Sequence, residues 1–187
     1  MQTIFLFRHA APEQDFALRY LGRTDPALSD DGRRQARTMF AHVTELPELP
    51  VRASPLRRAQ ETARCGFDRD IPTDVLLTEF SFGTLDGLLP DEAARLYPEA
   101  HRYLTAHPLD AGPFGGDDWP SLLGRADAFA RRLGGESCVV VGHRIALHAL
   151  VHALGARSAV GGTLALRYGE GCTLRRCGAG WERGDGP

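Results

Sequence analysis

Short apolar runs alternate with stretches of helical periodicity along this chain. Residues 3–7 (TIFLF) are rich in strand formers and fit a buried parallel strand. Ser29 opens a helical pattern that continues to about Leu46, with Ala36, Met39, Phe40 and Val43 on one face, and Pro47 and Pro50 stop it. Residues 51–54 predict a second strand, after which Ser54 serves as N-cap and Pro55 as first residue of a helix reaching about Cys65. Residues 74–77 predict a third strand, and residues 121–133 a helix. The apolar run 137–141 is the clearest buried strand, and residues 145–154 the helix that follows it. Residues 163–168 and 172–176 predict a terminal hairpin, with a Gly-rich end after Cys177 that frays.

Strands alternating with helices predict an α/β fold, a three-layer sandwich with a mostly parallel sheet and helices on both faces. Residues 88–120 interrupt the alternation with two helical pieces (91–97 and 98–106) and a Gly/Pro loop. They read as a small helical insertion over the active-site edge. The expected organisation is therefore one domain, 1–187, with 88–120 as a cap-like insertion.

Composition narrows the chemistry. The length of 187 residues, with 43% apolar and 25% charged residues, suits one domain with a proper core. All 22 basic residues are arginine, and asparagine is absent too. Without lysine there is no Schiff base and no phosphate-gripping lysine, so an anion must be held by arginine, histidine, hydroxyls or backbone N–H groups. A net charge of −2 with no long run of one sign points away from nucleic acid. Met1 to Phe7 lacks a basic leader and a cleavage site, and no apolar stretch reaches membrane-spanning length; a cytoplasmic protein with no membrane partner is expected. The four cysteines show no C-x-x-C spacing, and Cys172 and Cys177 should face opposite sides of one strand, so a bridge between them is not expected.

Arg8 and His9 directly follow the first predicted strand, and Arg58 sits one turn into the helix after the second. Glu79 directly follows the third, and His143 stands between the strand 137–141 and its helix. Ligands of open α/β sheets bind beyond the carboxyl ends of the strands, so these side chains should converge at one edge. Two arginines for oxygens, a histidine nucleophile and a carboxyl group for the leaving oxygen suit a phosphate monoester. Adjacent helical residues point about 100° apart, so only one of Arg57 and Arg58 can face that edge. Arg8 and Arg58 should lower the pKa of His9 and keep it neutral. His148 and His152, at i and i+4, have metal-ligand spacing, but no carboxylate accompanies them; packing is the expectation and no metal is assigned. Phe16, Tyr20 and Phe82 could line a substrate mouth or pack beneath a loop.

Five blocks resemble the histidine phosphatase superfamily, which includes the cofactor-dependent phosphoglycerate mutases. Arg8-His9-Ala10 is similar to its R-H-G signature, and Gly22-Arg23-Thr24-Asp25 through Leu28 and Gly32 to its G-R-x-D-x-x-L-x-x-x-G stretch. Ser54-Pro55-Leu56-Arg57-Arg58-Ala59 with Thr62-Ala63 resembles S-x-L-x-R-A-x-x-T-A, and Glu79 through Gly83 with Gly87 resembles E-x-x-F-G-x-x-x-G. Val139 through His143 resembles the strand ending in the second histidine. The resemblance implies that His9 attacks phosphorus and becomes a phosphohistidine, that Arg8, Arg58 and His143 hold phosphoryl oxygens, and that Glu79 protonates the leaving oxygen and then activates water. It selects Arg58 over Arg57. Glu79 faces competing influences, since the arginines favour its carboxylate while a bound dianion and the loss of water favour its acid form. Arg23 and Thr24 are the loop candidates for contacting the organic part of the substrate.

Two departures stand out. Ala10 replaces the usual glycine, adding a methyl beside the nucleophile, and Ile145-Ala146 replaces the glycines that commonly follow the second histidine, with Arg144 directly after that histidine, either a third cation or pointing away. The expected function is a phosphatase of small phosphorylated metabolites, with no cofactor and no metal, most like alpha-ribazole phosphatases and broad-specificity relatives. Alpha-ribazole 5'-phosphate is one candidate substrate. The alternatives are a mutase-type phosphoryl transferase and a catalytically silent phospholigand-binding module. Monomer and homodimer remain equally open at this level.

Overall fold

The computed structural model describes residues 1–44 and 49–184. Its sheet has the order β2-β3-β1-β4-β5, with β1 Thr3–Arg8, β2 Val51–Ala53, β3 Cys138–Gly142, β4 Gly171–Cys177 and β5 Gly180–Gly184. β2, β3 and β1 run parallel, and β4 and β5 add an antiparallel edge. Every residue of β3 is buried, as a valine-rich strand covered on both faces should be.

Alternation along β1 assigns the two cores. Ile4 and Leu6 join Val140, Leu174, and the apolar faces of α6 (Trp119–Leu133) and α7 (Arg144–Ala153). Phe5 and Phe7 face the other way, with Val139 and Val141, onto Ala59 and Ala63 of α3 (Arg57–Phe67) and onto Phe40. α1 (Asp30–Thr38) packs on α3, which completes the third layer. The insertion forms α4 (Pro90–Leu96) and α5 (Pro98–Ala106), whose Ala93, Ala100 and Leu104 enter the first core. Among the described residues no helix is long and apolar enough to cross a membrane.

Four expectations change. The helix after Ser29 ends at Thr38, and a separate turn, α2 (Ala41–Thr44), follows; its expected stretch to Leu46 and the stop at Pro47 lie outside the described residues. Phe40 lies at the break, buried between Phe7 and Phe67 with ring centroids at 4.5 and 4.7 Å, so core packing overrides helical continuity there. Ser54 does not cap α3, whose N-cap is Leu56 and whose first residue is Arg57, not Pro55; the serine hydroxyl is engaged elsewhere. Residues 74–77 form a single 3₁₀ turn, not a strand, because the Asp74 carboxylate accepts the Leu76 N–H and competes with sheet pairing; only Thr73 bridges to Ala53. The terminal hairpin is β4–β5, turned at Gly178, so Gly180–Gly184 form a strand after Cys177 and residues 163–168 are irregular.

Candidate active site

The carboxyl ends of β1, β2 and β3 lie at one edge, and the backbone carries the ladder one residue past each strand. His9 N–H donates to the Gly142 carbonyl at 2.9 Å and Ser54 N–H to the Val141 carbonyl at 3.0 Å. The start of α3 adds Arg58, and the N-terminus of α7 follows His143 directly. His9, Arg58, Glu79 and His143 are 2%, 0%, 7% and 0% exposed, so four polar side chains are packed into a buried rim. Such burial demands partners for every polar atom.

Those partners define the state of His9. Its Nδ1 lies 2.8 Å from the Ala10 carbonyl, which can only accept, so Nδ1 carries the proton. Its Nε2 receives the Arg58 Nε–H at 3.2 Å, and a guanidinium can only donate, so Nε2 is unprotonated and its lone pair accepts that hydrogen bond. Both constraints select the same tautomer. Burial first, then the charges of Arg58 and Arg8, hold the imidazole well below its ordinary pKa and keep it neutral.

Arg58 is itself fixed by backbone, with Nη1 on the Thr24 carbonyl at 2.6 Å and Nη2 on the Gly22 carbonyl at 2.8 Å. Arg8 donates through Nη1 to the Leu166 carbonyl at 2.9 Å, and its guanidinium carbon lies 3.9 Å above the centre of the Tyr168 ring. Its Nε is buried with no hydrogen-bond partner among the described residues. Burial lowers the pKa of both arginines from the ordinary guanidinium value.

The His143 ring lies 5.1 Å from that of His9, centroid to centroid, and Ser54 Oγ meets its Nε2 at 2.8 Å. Burial, then Arg58, His9 and Arg8, push its pKa well down, so it too is neutral. Its Nδ1 is buried with no hydrogen-bond partner among the described residues. Glu79 places Oε1 on the N–H groups of Phe80 (2.8 Å) and Ala146 (3.0 Å) and Oε2 on Ile145 N–H (3.3 Å), so the positive end of α7 cradles the carboxylate.

A cavity of about 700 Å³ opens onto Arg8, His9, Arg58 and Glu79 and extends under α5 past Leu104, Pro108, His148 and Leu164. Tyr20 and Phe82 line it, whereas Phe16 is not among its lining residues. Arg23 and Thr24 do not line it either. The Arg23 guanidinium pairs with Asp117 at 3.3 Å, and Thr24 contributes its carbonyl to Arg58. His148 accepts the Leu164 N–H on Nδ1 at 3.2 Å and packs with His152 against Trp119. The Ala10 methyl is directed into a small apolar cluster with Leu28 and Ala36, and among the described residues Asp68 is the one non-glycine with positive φ. The glycine-to-alanine departure therefore strains nothing.

Three further participants stand in the site that the sequence does not single out. Tyr168, under Arg8 and beside His9 at 5.2 Å, was hidden by the expectation that residues 163–168 form a strand. The Ser54 link to His143 was hidden by the expectation that this serine caps α3. Thr62 Oγ1 accepts the Ala10 N–H at 3.0 Å and so steadies the backbone beside the nucleophile; its place in the T-A block was the available signal.

The sequence profile of the histidine phosphatase superfamily (branch 1) matches residues 4–182. The chain is 31% identical over 151 residues to phosphoglycerate mutase-like protein 4 of Arabidopsis thaliana, covering 75% of this chain and 65%, just under two thirds, of that protein. It is 28% identical over 161 residues to phosphoserine phosphatase 1 of Hydrogenobacter thermophilus, covering 82% of this chain and 76% of the relative. The crystal structure of the alpha-ribazole phosphatase from Shigella flexneri superposes with a TM-score of 0.81 at 21% identity, over 97% of this chain and 94% of the other, which establishes a shared fold. With the profile match running from β1 into β5, the chain belongs to the histidine phosphatase superfamily.

Proposed function

We propose that this protein is a phosphatase that hydrolyses phosphate monoesters of small metabolites through a phosphohistidine on His9, without a metal ion. The observation that carries the reading is the two-sided commitment of His9: Nδ1–H to a carbonyl, Nε2 lone pair toward Arg58 in a cationic cup. The Arg58 Nε–H hydrogen bond passes from Nε2 to a phosphoryl oxygen, the freed lone pair forms the N–P bond as the bond from phosphorus to the leaving oxygen breaks, and the carboxyl proton of Glu79 passes to that oxygen. The ring gains positive charge in this step, and the Ala10 carbonyl facing Nδ1–H stabilises it. The carboxylate of Glu79 then takes a proton from water, whose oxygen attacks phosphorus as the N–P bond breaks and Nε2 regains its lone pair. Arg8, Arg58 and His143 hold the phosphoryl oxygens. The two buried guanidiniums supply positive charge where the transferring group gathers negative charge.

In the same reading the chain is one domain, 1–187, in which 88–120 caps the cup, and its place is the cytoplasm. The named relatives suggest phosphorylated metabolites as substrates, alpha-ribazole 5'-phosphate among them. Turnover of p-nitrophenyl phosphate in the presence of a chelator tests the reaction, with His9→Ala as control. Equal turnover by both proteins refutes the role of His9, and loss of activity on chelation refutes the metal-free step. Transfer of labelled, acid-labile phosphate from substrate to His9 is the expected positive result.

A further inference from the structure

The charged groups lining the cavity are Arg8, Arg19, Arg58, Arg144 and Glu79. Most of them are already committed. Arg19 pairs with Glu92 at 2.8 Å, Arg8 and Arg58 are tied to backbone carbonyls, and the Glu79 carboxylate takes backbone N–H groups at the start of α7. Arg144 differs: it lines the cavity, is exposed, and has no hydrogen bond or ion pair among the described residues. Its charge is felt by Arg8, whose protonated form it disfavours, so the two guanidiniums share one field.

A charge count shows what this cation is for. Arg8 and Arg58 match the two charges of a phosphoryl dianion, and Arg144 is a third guanidinium on the same cavity. One positive charge is left unmatched, and it sits on the accessible member of the three, not on Arg58, which is fully buried. Arg144 opens α7, whose Ile145 and Ala146 N–H groups hold Glu79, so this exposed residue stands next to the acid of the leaving oxygen. A free guanidinium fork matches a carboxylate or a phosphate with two parallel hydrogen bonds, and the phosphoryl group already has Arg8 and Arg58.

We infer that Arg144 forms a subsite for an anionic group on the leaving-group side, and that it selects phosphomonoesters whose organic part carries a carboxylate. The inference rests on the phosphatase reading above and adds to it a residue that chooses the substrate. The cavity of about 700 Å³ has room for such a group beside the phosphoryl oxygens.

The test compares two substrates that differ in one group: 3-phosphoglycerate, and glycerol 3-phosphate, in which a hydroxymethyl replaces the carboxylate. The wild-type protein is expected to favour the carboxylate by about tenfold or more in kcat/KM. Arg144→Ala should bring that ratio to within about twofold of one, through a raised KM for the phosphoglycerate, and Arg144→Lys should restore part of it. A ratio that survives in Arg144→Ala, with both substrates falling together or neither falling, overturns the subsite. So does a wild-type preference for the uncharged analogue. Calorimetric binding of the same pair to His9→Ala reads the preference without turnover. If the wild type hydrolyses neither substrate nor p-nitrophenyl phosphate, the phosphatase reading fails; a binding preference that is absent, or is unchanged by adding Arg144→Ala, overturns the subsite separately.

Discussion

The hydroxyl of Ser54 and the ring of His143, 89 residues apart in the chain, meet at 2.8 Å on Nε2. Ser54 Oγ also accepts the Leu56 N–H at 3.3 Å, and both residues are fully buried. If His143 carried its proton on Nε2, the serine hydroxyl hydrogen and the Nδ1 lone pair would both be buried without partners. With the proton on Nδ1, the serine donates to Nε2 and a single orphan is left, an Nδ1–H donor of the kind a phosphoryl oxygen satisfies. The network thus assigns the Nδ1–H tautomer.

Ser54→Ala removes that assignment without touching the ring. We expect kcat to fall about tenfold, roughly 1.4 kcal/mol of barrier. Ser54→Thr, which keeps the hydroxyl, should recover most of it. Nitrogen chemical shifts of His143 provide the direct check: a wild-type protein with Nε2 protonated would show that the serine accepts instead of donating.

Ala10 offers a second test. Its methyl packs with Leu28 and Ala36 and its backbone does not use positive φ, so glycine has nothing to relieve there. Ala10→Gly is expected to lower stability by roughly 1–2 kcal/mol, from lost apolar burial and added freedom in the unfolded chain, while kcat changes less than about twofold. Denaturant unfolding and steady-state assay of the same sample measure both. A large gain in activity would show that the methyl does crowd the nucleophile.

The residues that were legible in the sequence owe it to local causes. β1 and β3 are short apolar runs whose neighbours on both sides are core, so composition alone marks them. His9 and His143 then fall at one edge because both strands are parallel and each residue directly follows its strand. What was not legible depends on partners distant in the chain. Arg23 stands in a motif that suggests substrate contact, yet its guanidinium goes to Asp117, 94 residues on, in the insertion loop. Ser54 has the residue type of a helix cap, but a buried imidazole competes for its hydroxyl and takes it. Residues 74–77 have strand formers, and one aspartate side chain bonded to the next turn outweighs them.

Gly22 links loop conformation to the cup. Its φ is +46°, its carbonyl holds Arg58 Nη2 at 2.8 Å, and a Cβ built there would lie 1.7 Å from Asp86 Oδ1. Asp86 cannot easily retreat, because it accepts the N–H groups of Phe82 and Arg23 and the Ser81 hydroxyl. Gly22→Ala therefore strains the backbone by about 1–3 kcal/mol and shifts the carbonyl that aims Arg58. The expected signature is a loss in both thermal stability and kcat/KM. Thr24→Ala is the contrast, since Thr24 serves Arg58 through its carbonyl and keeps that group after substitution. An equal loss of kcat/KM in Thr24→Ala would mean that its side chain contacts substrate after all.

The two neutral imidazoles make stability depend on pH in a definite direction. His9 and His143 have folded-state pKa values well below 6.5, for the same leading reason, burial, reinforced by the nearby arginines. Above pH 6.5 neither state binds a proton at these sites. As pH falls through 6.5 the unfolded chain takes protons that the folded chain refuses, so the folded state loses stability on the acid side. Two refused protons give a limiting slope of about 2.7 kcal/mol per pH unit. His148 and His152, also pushed down by burial, act in the same direction. Asp86, whose carboxyl is raised by burial, opposes them only where carboxylates titrate. Urea unfolding between pH 7 and 5 should show stability declining steadily, and His9→Gln should flatten the slope by about one proton. For the same reason the acid limb of kcat/KM should lie below the ordinary histidine range. A profile that loses activity with a midpoint near 6.5 would mean that His9 is protonated in the free protein, which the carbonyl on one nitrogen and the guanidinium on the other forbid.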